Sequence, residues 1–466
     1  MNSKKKTSRR DFLTKVSLGT AALSVPNILT ARNKGIRKEI LESNYVSKTY
    51  AANDKIRLAT IGFGIQGIGD TGNAVGVDGV EFVAACDLYE GRLIRAKEIY
   101  GKDIFTTRDY RDILSKDDID AVIIAVPDHW HERIATDAMK AGKAVYLEKP
   151  MIKNIPEGHN LIKAQNDTGA ILQVGSQGMS GIYAAKAREL YKSGVIGDLV
   201  MVEIHNDRYS SEGAWQYPIP PDANPESIDF DTFLGTAPKV DYDPVRFFRW
   251  RNYQDYGTGV AGDLFVHSFS TLNFVIDSLG PVRAKSTGGL RYWKDGRDVP
   301  DIMMSLYDFP EAENHPAFNA VLRINFVAGG GGGGGFQLIG TEGAMIIGWG
   351  SVTVIHSNMG WRPSGYALKS YPDNIQKEIN KMYDAKYEQQ RDKMLNPQDT
   401  VFEASSSYKG ADHDHFLTFF EAMRGNKKVV EDTTYGLRAA GAALLSNFSY
   451  FEDKTVNWDP VKMLLT

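Results

Sequence analysis

The sequence has little cysteine and no large excess of charge of either sign. Cys86 is the one cysteine among 466 residues, which excludes an internal disulfide and a cysteine-rich zinc site. The 54 basic and 58 acidic residues give a formal net charge of −4. No long basic block is present, so nothing favours a nucleic-acid partner. At roughly 100–200 residues per domain, the length predicts two or three domains.

The N-terminal segment lacks an apolar run long enough to cross a membrane. Residues 16–29 are mildly apolar and follow a basic segment, but they are shorter than the ~20 residues that a spanning helix needs. Residues 8–13 contain two adjacent arginines and resemble a twin-arginine (Tat) export signal. We therefore predict a signal peptide at residues 1–30 that engages the Tat export machinery. We also predict a periplasmic location, no membrane span in the mature protein, and a linker of little regular structure at residues 31–54.

A glycine-rich fingerprint follows this linker. Residues 56–61 are typical of a strand, and a candidate helix at 68–76 leads to a second strand-like run at 80–86. This order of strand, glycines, helix and strand is typical of a dinucleotide-binding unit, whose helix N-terminus binds phosphates. The residues of the fingerprint that we expect to border a cofactor are Gly62, Phe63, Gly64, Ile65, Gln66 and Gly67.

The acid after the second strand bears on the choice of cofactor. Asp87 follows Gly67 by about 20 residues, where an acid binds the ribose 2′-hydroxyl of NAD. Arg92 and Arg95 lie near enough to leave NADP open, because a nearby arginine can accept a 2′-phosphate. The alternative is that Asp87 only ends a strand. We predict NAD.

Strand-like and helix-like runs continue to alternate up to residue 147, which predicts a parallel, doubly wound sheet. Ligands of such sheets bind outside the carboxyl ends of the strands. The residues that follow strands at 121–126 and 144–147 are therefore candidates for cofactor contacts. They are Pro127, His131, Glu148, Lys149 and Pro150.

Three further motifs accompany the glycine fingerprint and Asp87. They are Glu148-Lys149-Pro150 after a strand, the run P-D-H-W-H at 127–131 and the run G-D-L-F-V-H at 262–267. Together they resemble the glucose–fructose oxidoreductase/inositol dehydrogenase (Gfo/Idh/MocA) family. The resemblance implies that Lys149 lies beside the nicotinamide and the substrate hydroxyl, and that Asp263 and His267 supply an acid and the catalytic histidine. Their spacing of four predicts one helix face for both.

Two residues depart from the family pattern, since Phe265 replaces a glycine and Ser270 an aspartate. The substrate class therefore does not carry over. The resemblance implies an α/β fold with a Rossmann domain at 55–175. It also implies an α/β domain at 176–466 with a large, open, mostly antiparallel sheet, which such proteins often use for homo-oligomer contacts.

Residues that could bind the substrate cluster before the Asp263 motif. Aromatic and arginine side chains mixed in this way suit a sugar-like ligand, although they could equally cover a core. The candidates are Arg249, Trp250, Arg251, Tyr253, Tyr256 and, by resemblance, His415. Seven glycines at 329–335 predict a flexible loop. Asp412, His413, Asp414 and His415 are adjacent and diverge, so we expect a helix cap there and no metal.

These observations predict an NAD-dependent oxidoreductase that acts on a secondary alcohol of a sugar, glycoside or polyol. In such an exported enzyme the cofactor would stay bound and be recycled. One alternative is an NAD-dependent glycosidase that oxidises the sugar transiently, and another is a non-catalytic NAD- or sugar-binding module.

Overall fold

The computed structural model describes residues 36–43, 45–348, 350–357, 365–387 and 398–466. The expected signal peptide at 1–30 lies outside these residues. Two sheets organise the chain, a six-stranded and an eleven-stranded one. The first strand, β1 (Arg37–Leu41), joins the larger sheet. Within the described residues, no helix is both long and apolar enough to span a bilayer.

The smaller sheet is fully parallel and has the order β4-β3-β2-β5-β6-β7. Its central strands β5 and β6 are buried at every position, as expected of a parallel sheet covered on both faces. The strands are β2 (Ile56–Ile61), β3 (Val80–Cys86), β4 (Phe105–Thr107), β5 (Ala121–Ile124), β6 (Ala144–Leu147) and β7 (Leu172–Val174).

Helices follow these strands in the alternation that the sequence predicts. They are α1 (Ile65–Val75), α2 (Glu90–Tyr100), α3 (Tyr110–Leu114), α4 (His131–Lys140), α5 (Ile155–Thr168) and α6 (Ile182–Lys192). Helix α1 begins three residues before the predicted start, because Gly64 already serves as its N-cap. Its free N–H groups therefore lie directly after the glycine turn.

The larger sheet is mixed but mostly antiparallel, with the order β1-β15-β14-β13-β12-β8-β11-β10-β9-β16-β17. The pairs β1/β15 and β8/β11 are parallel. Its further strands are β8 (Leu199–Asp207), β9 (Arg283–Gly289), β10 (Ile302–Phe309), β11 (Phe318–Asn325), β12 (Gly333–Gly340), β13 (Gly343–Ile347), β14 (Ser351–His356), β15 (Thr400–Ala404), β16 (Val456–Asp459) and β17 (Leu464–Leu465). The predicted fold class is confirmed.

Helices cover one face of the larger sheet, and buried and accessible residues alternate along β10 and β11. The remaining helices are α7 (Phe230–Leu234), α8 (Pro244–Phe248), α9 (Val266–Ile276), α10 (Gly365–Leu368), α11 (Asp373–Tyr387), α12 (Ala411–Met423) and α13 (Thr433–Phe451). Helix α13 packs on β9 and against α9. Helix α12 instead packs Phe416, Phe419 and Phe420 into the core of the smaller sheet, although it belongs to the segment that we expected to form the second domain.

The expectation of little regular structure at residues 31–54 is wrong for Arg37–Leu41, which form β1, whereas residues 45–51 have no helix or strand. Strand β1 pairs with β15 along its whole length. Further on, Tyr45 Oη, Ser47 Oγ and the Lys48 N–H donate hydrogen bonds of 2.6, 2.7 and 2.8 Å to Asp78 Oδ2. A single carboxylate thus fixes this segment to the smaller-sheet half of the chain, a contact that composition does not reveal.

The glycine run also differs from the expected flexible loop. Strand β12 includes its last three glycines, which pair with residues 205–207 of β8. A Cβ atom on Gly335 would lie 2.2 Å from the imidazole of His205. A side chain at Gly335 would therefore require the His205 ring, which crosses the neighbouring strand, to move.

Candidate active site

The carboxyl ends of β2, β3, β5 and β6 open onto a cleft of about 510 Å³. This is where an open parallel sheet binds its ligand. The predicted residues that line the cleft are Gly62, Gly64, Ile65, Gln66, Asp87, Arg92, Pro127, Glu148, Lys149, Trp250 and Arg251. The structure therefore brings residues from both halves of the chain to one wall.

The first glycine turn leaves no room for side chains. Gly62 has φ +91°, and a Cβ atom there would lie 2.4 Å from the Ala125 oxygen. A Cβ atom on Gly67 would lie 2.0 Å from the Gly62 oxygen. Gly67 thus packs the helix against the turn rather than lining the cleft. The turn and the N-terminus of α1 form the cradle into which a pyrophosphate fits.

Asp87 lies at the end of β3 and is almost fully buried. Its Oδ1 accepts the Tyr89 N–H at 2.9 Å, and its Oδ2 lies 3.3 Å from Arg92 Nη1. Arg92 also lies over the ring of Phe248, 5.4 Å from its centroid. Arg95 pairs with Glu98 on the surface instead. A carboxylate at this position fits the ribose of NAD.

Lys149 follows β6 and projects into the cleft with 10% of its side chain exposed. Its Nζ donates to Asp263 Oδ1 at 3.1 Å and to the Asp263 carbonyl oxygen at 3.2 Å. Arg251 Nε lies 3.3 Å from the same Oδ1. Burial opposes ionisation of Asp263, but Lys149 and Arg251 together hold the pKa of its carboxyl below its ordinary value. The result is a buried carboxylate held between two cations.

His267 lies in the first turn of α9, near enough to Lys149 and Asp263 for their charges to affect its pKa, but neither His267 nor Asp263 is among the residues that line the cleft. Asp263 belongs to the preceding π-helical turn, Ala261–Phe265. The expected α-helical geometry for a spacing of four therefore does not apply, because the π turn is wider. Burial and the nearby Lys149 cation lower the pKa of His267 to about 3, and Asp263 offsets this only in part. The imidazole is consequently neutral near pH 7, although its lowered pKa makes it a weaker base than an ordinary histidine.

Two further acids lie at the strand ends. Glu148 accepts hydrogen bonds from Gln177 Nε2 at 2.7 Å and from the Lys149 N–H at 3.2 Å. Asp128, which we did not predict as a site residue, lines the cleft and accepts two hydrogen bonds from Thr258, at 2.9 and 3.0 Å. Burial raises the pKa of Asp128 to about 7. Its position directly after Pro127 at a strand end was a signal that could have identified it.

Besides Gly67, three residues predicted to border the cofactor lie outside the cleft lining. Phe63 is fully buried and stacks on Phe82 at 5.8 Å. The ring nitrogens of His131 lie 2.9 and 2.8 Å from the backbone oxygens of Val126 and Pro150. His131 therefore joins the two loops beneath the site, and Pro150 is part of that support.

Four of the predicted substrate residues also lie away from the cleft. Tyr253 and Tyr256 are buried in an aromatic cluster with Phe233 and Phe247. Arg249 donates to the Tyr217 oxygen at 2.8 Å and so holds the segment from which Tyr217 reaches the cleft.

His415 is the fourth of these residues. Its Nε2 lies 2.8 Å from the Val174 oxygen and its Nδ1 lies 2.7 Å from Ser180 Oγ. These contacts place the ring under β7. Among the described residues, no group of three or more His, Cys, Asp or Glu side chains could hold a metal ion.

Family models agree with this geometry. The model of an oxidoreductase family with an NAD-binding Rossmann fold matches residues 56–176, and the model of its C-terminal α/β domain matches residues 180–287. Residues 56–176 and 180–287 therefore match the two domains of the Gfo/Idh/MocA oxidoreductase family. The predicted cofactor, NAD, is confirmed at the level of the domain.

Individual proteins resemble this chain only at low sequence identity. A glycosyl hydrolase family 109 protein 2 from Shewanella sp. (strain ANA-3) is 31% identical over 222 residues, which are 45% of this chain and 47% of the relative. The chain thus matches about half the length of this curated relative. A levoglucosan dehydrogenase solved with NADH and levoglucosan superimposes with a TM-score of 0.62 at 17% identity, over 86% of this chain and 99% of that one.

A putative myo-inositol dehydrogenase from Sinorhizobium meliloti 1021 also has the same fold. Its TM-score is 0.57 at 18% identity, over 86% of this chain and 99% of that one. At this identity the likeness concerns the fold, and the reaction has to be argued from the site.

Proposed function

We propose that this protein oxidises and reduces a secondary alcohol of a sugar, glycoside or polyol with bound NAD. The observation that carries the proposal is the position of Lys149. Its ammonium group lies in the cleft, 3.1 Å from a buried carboxylate of Asp263, at the carboxyl end of a parallel strand. A fixed cation there can stabilise charge that develops on a substrate oxygen.

The chain's own residues supply the proton chemistry and the electric field. When bound, the nicotinamide would exchange a hydride with the substrate carbon. The neutral His267 would take the proton of the substrate hydroxyl, and Lys149 would stabilise the oxygen as negative charge builds on it. Asp263 holds the Lys149 ammonium group in place through two hydrogen bonds. Because Arg251 also lines the cleft and binds Asp263, it could donate its outer N–H groups to further hydroxyls of the substrate.

The predicted export signal is part of the proposal. A periplasmic enzyme has little free NAD around it, so we propose that the cofactor is bound before Tat export and is recycled in place. The open face of the larger sheet is proposed as the homo-oligomer contact. A non-catalytic module would have no need of the Lys149–Asp263–His267 arrangement.

A second candidate function is an NAD-dependent glycosidase that oxidises its sugar transiently. The matches to glycosyl hydrolase family 109 proteins favour it. Both functions require the same first oxidation, so Lys149 and His267 would act alike in each. They differ in whether the glycosidic bond survives.

Product analysis separates the two functions. The purified protein is incubated with chromogenic glycosides and the matching free sugars, without added cofactor, and the products are identified by mass spectrometry. A dehydrogenase yields keto sugars or ketoglycosides and no free aglycone. Release of aglycone with no net change in the redox state of the cofactor would establish the glycosidase instead, and inert protein across both panels would contradict both functions.

A further inference from the structure

Two buried carboxyl groups lie next to each other at the cofactor cleft, Glu148 in its lining and Asp70 outside that lining. Asp70, on α1, is 2% exposed, and Glu148, at the end of β6, is 4% exposed. Their side chains lie within hydrogen-bonding reach of each other. Two carboxylates cannot satisfy one another, because both only accept hydrogen bonds. If both groups were ionised, the repulsion between their two negative charges would be uncompensated. A proton must therefore lie between them.

The hydrogen bonds show which oxygen has no donor. Glu148 Oε1 accepts a hydrogen bond from Gln177, and Oε2 accepts one from the Lys149 backbone N–H. Each oxygen of Glu148 therefore has a donor. Asp70 Oδ1 accepts from Gln66 Nε2 at 2.9 Å. Asp70 Oδ2 is fully enclosed, and among the residues that the structure describes no group donates a hydrogen bond to it. That atom is the natural place for a proton, which would be donated to Glu148.

The surrounding charges lead to the same assignment. On the Glu148 side lie the cations of Lys149 and Arg251, which favour its ionised form. On the Asp70 side the neighbouring titratable groups are Asp412 of α12 and the buried Tyr146. Burial raises the pKa of both carboxyl groups, and the charge of Glu148 raises that of Asp70 further. Asp70 is thus the member that keeps the proton.

We propose that Asp70 remains protonated at neutral pH and positions the Glu148 carboxylate beneath Lys149. Asp70 touches neither the substrate nor the cofactor, so it is a positioning residue. Its O–H donates to Glu148, which in turn accepts the backbone N–H of Lys149. Deprotonation at alkaline pH would place two charges face to face and displace Glu148. The kinetic part of this inference rests on the proposed function, whereas the protonation itself does not.

Infrared spectroscopy tests the protonation without any turnover. The wild type at pH 7 is compared with Asp70→Asn and with Glu431→Gln. Glu431 is a matched control, because it is a second enclosed acid whose pKa burial raises to about 8 and which does not line the cleft. Each substitution should remove one protonated-carboxyl band. The proposal would be overturned if Asp70→Asn lost a carboxylate band instead, or if its spectrum lost no band at all.

Stability and kinetics provide a second readout. An acid whose pKa is raised in the folded state stabilises the fold at low pH and loses that contribution as the pH rises through the folded pKa. Asp70→Asn keeps a hydrogen-bond donor that cannot ionise. The melting temperature of this variant should therefore increase relative to that of the wild type as the pH rises. Its turnover should persist to higher pH. Asp70→Ala leaves Glu148 without a donor and should lose turnover about tenfold at neutral pH.

The outcomes separate this proposal from the proposed function. Glu431→Gln should leave turnover and its pH profile as in the wild type. If Asp70→Asn and Asp70→Ala behave alike in turnover, or if both melt with the same pH dependence as the wild type, the proposal is wrong. If no substrate is turned over, the infrared and melting results still decide whether Asp70 holds the proton.

Discussion

Replacing Lys149 by Ala should lower turnover of the alcohol substrate by roughly 10²–10³-fold, the usual cost of removing one group that stabilises a charged oxygen. The site offers no ready substitute, because Arg251 is already paired with Asp263 Oδ1 and the neutral His267 carries no positive charge. The loss should fall on kcat and kcat/KM together, since the interaction forms as charge develops on the substrate oxygen.

The control for this experiment is another lysine of the same half of the chain. Lys140 ends α4, is exposed and lies outside the cleft lining, so Lys140→Ala should turn over like the wild type. Thermal melting should show that Lys149→Ala is folded, since Arg251 still neutralises Asp263. A Lys149→Ala variant that is folded and fully active would refute the role assigned to this residue.

Replacing Gly67 by Ala should abolish tight NAD binding. The added Cβ atom would lie 2.0 Å from the backbone oxygen of Gly62, so either the helix or the phosphate-binding turn must shift. Overpacking of this kind costs about 1–3 kcal/mol, and a displaced turn loses its contacts to the pyrophosphate. We expect the NAD affinity, measured by titration calorimetry, to fall by at least about tenfold.

Gly69 provides a matched control on the same helix. A Cβ atom there meets nothing within 4 Å, and alanine is favoured over glycine in a helix by about 1 kcal/mol. Gly69→Ala should therefore bind NAD normally and melt at a slightly higher temperature. Wild-type NAD affinity in Gly67→Ala would show that the turn does not depend on this close approach.

The sequence was informative where local chemistry dictates structure. The glycine turn, Asp87 and the strand ends at Pro127 and Lys149 follow from the strand–helix alternation, and all of them border the cleft. Each of these positions is set by its immediate neighbours in the chain. Asp128 could have been included on the same grounds.

Residues fixed by distant contacts could not be predicted in this way. His415 meets the Val174 oxygen, far away in the sequence, and nothing local distinguishes it from a ligand-binding histidine. Strand β1 exists because β15 offers it an edge. The residues of the π turn that carries Asp263 do not distinguish it from an α-helical turn.

The most direct test of the central claim is the redox state of the bound cofactor. The protein is purified without added nicotinamide, mixed with a panel of sugars, glycosides and polyols, and followed by the absorbance of reduced nicotinamide. We predict that nicotinamide is present and becomes reduced with at least one alcohol in the wild type, and far more slowly in Lys149→Ala. Protein that holds or binds NAD, yet never reduces it and forms no product across the panel, would contradict the account.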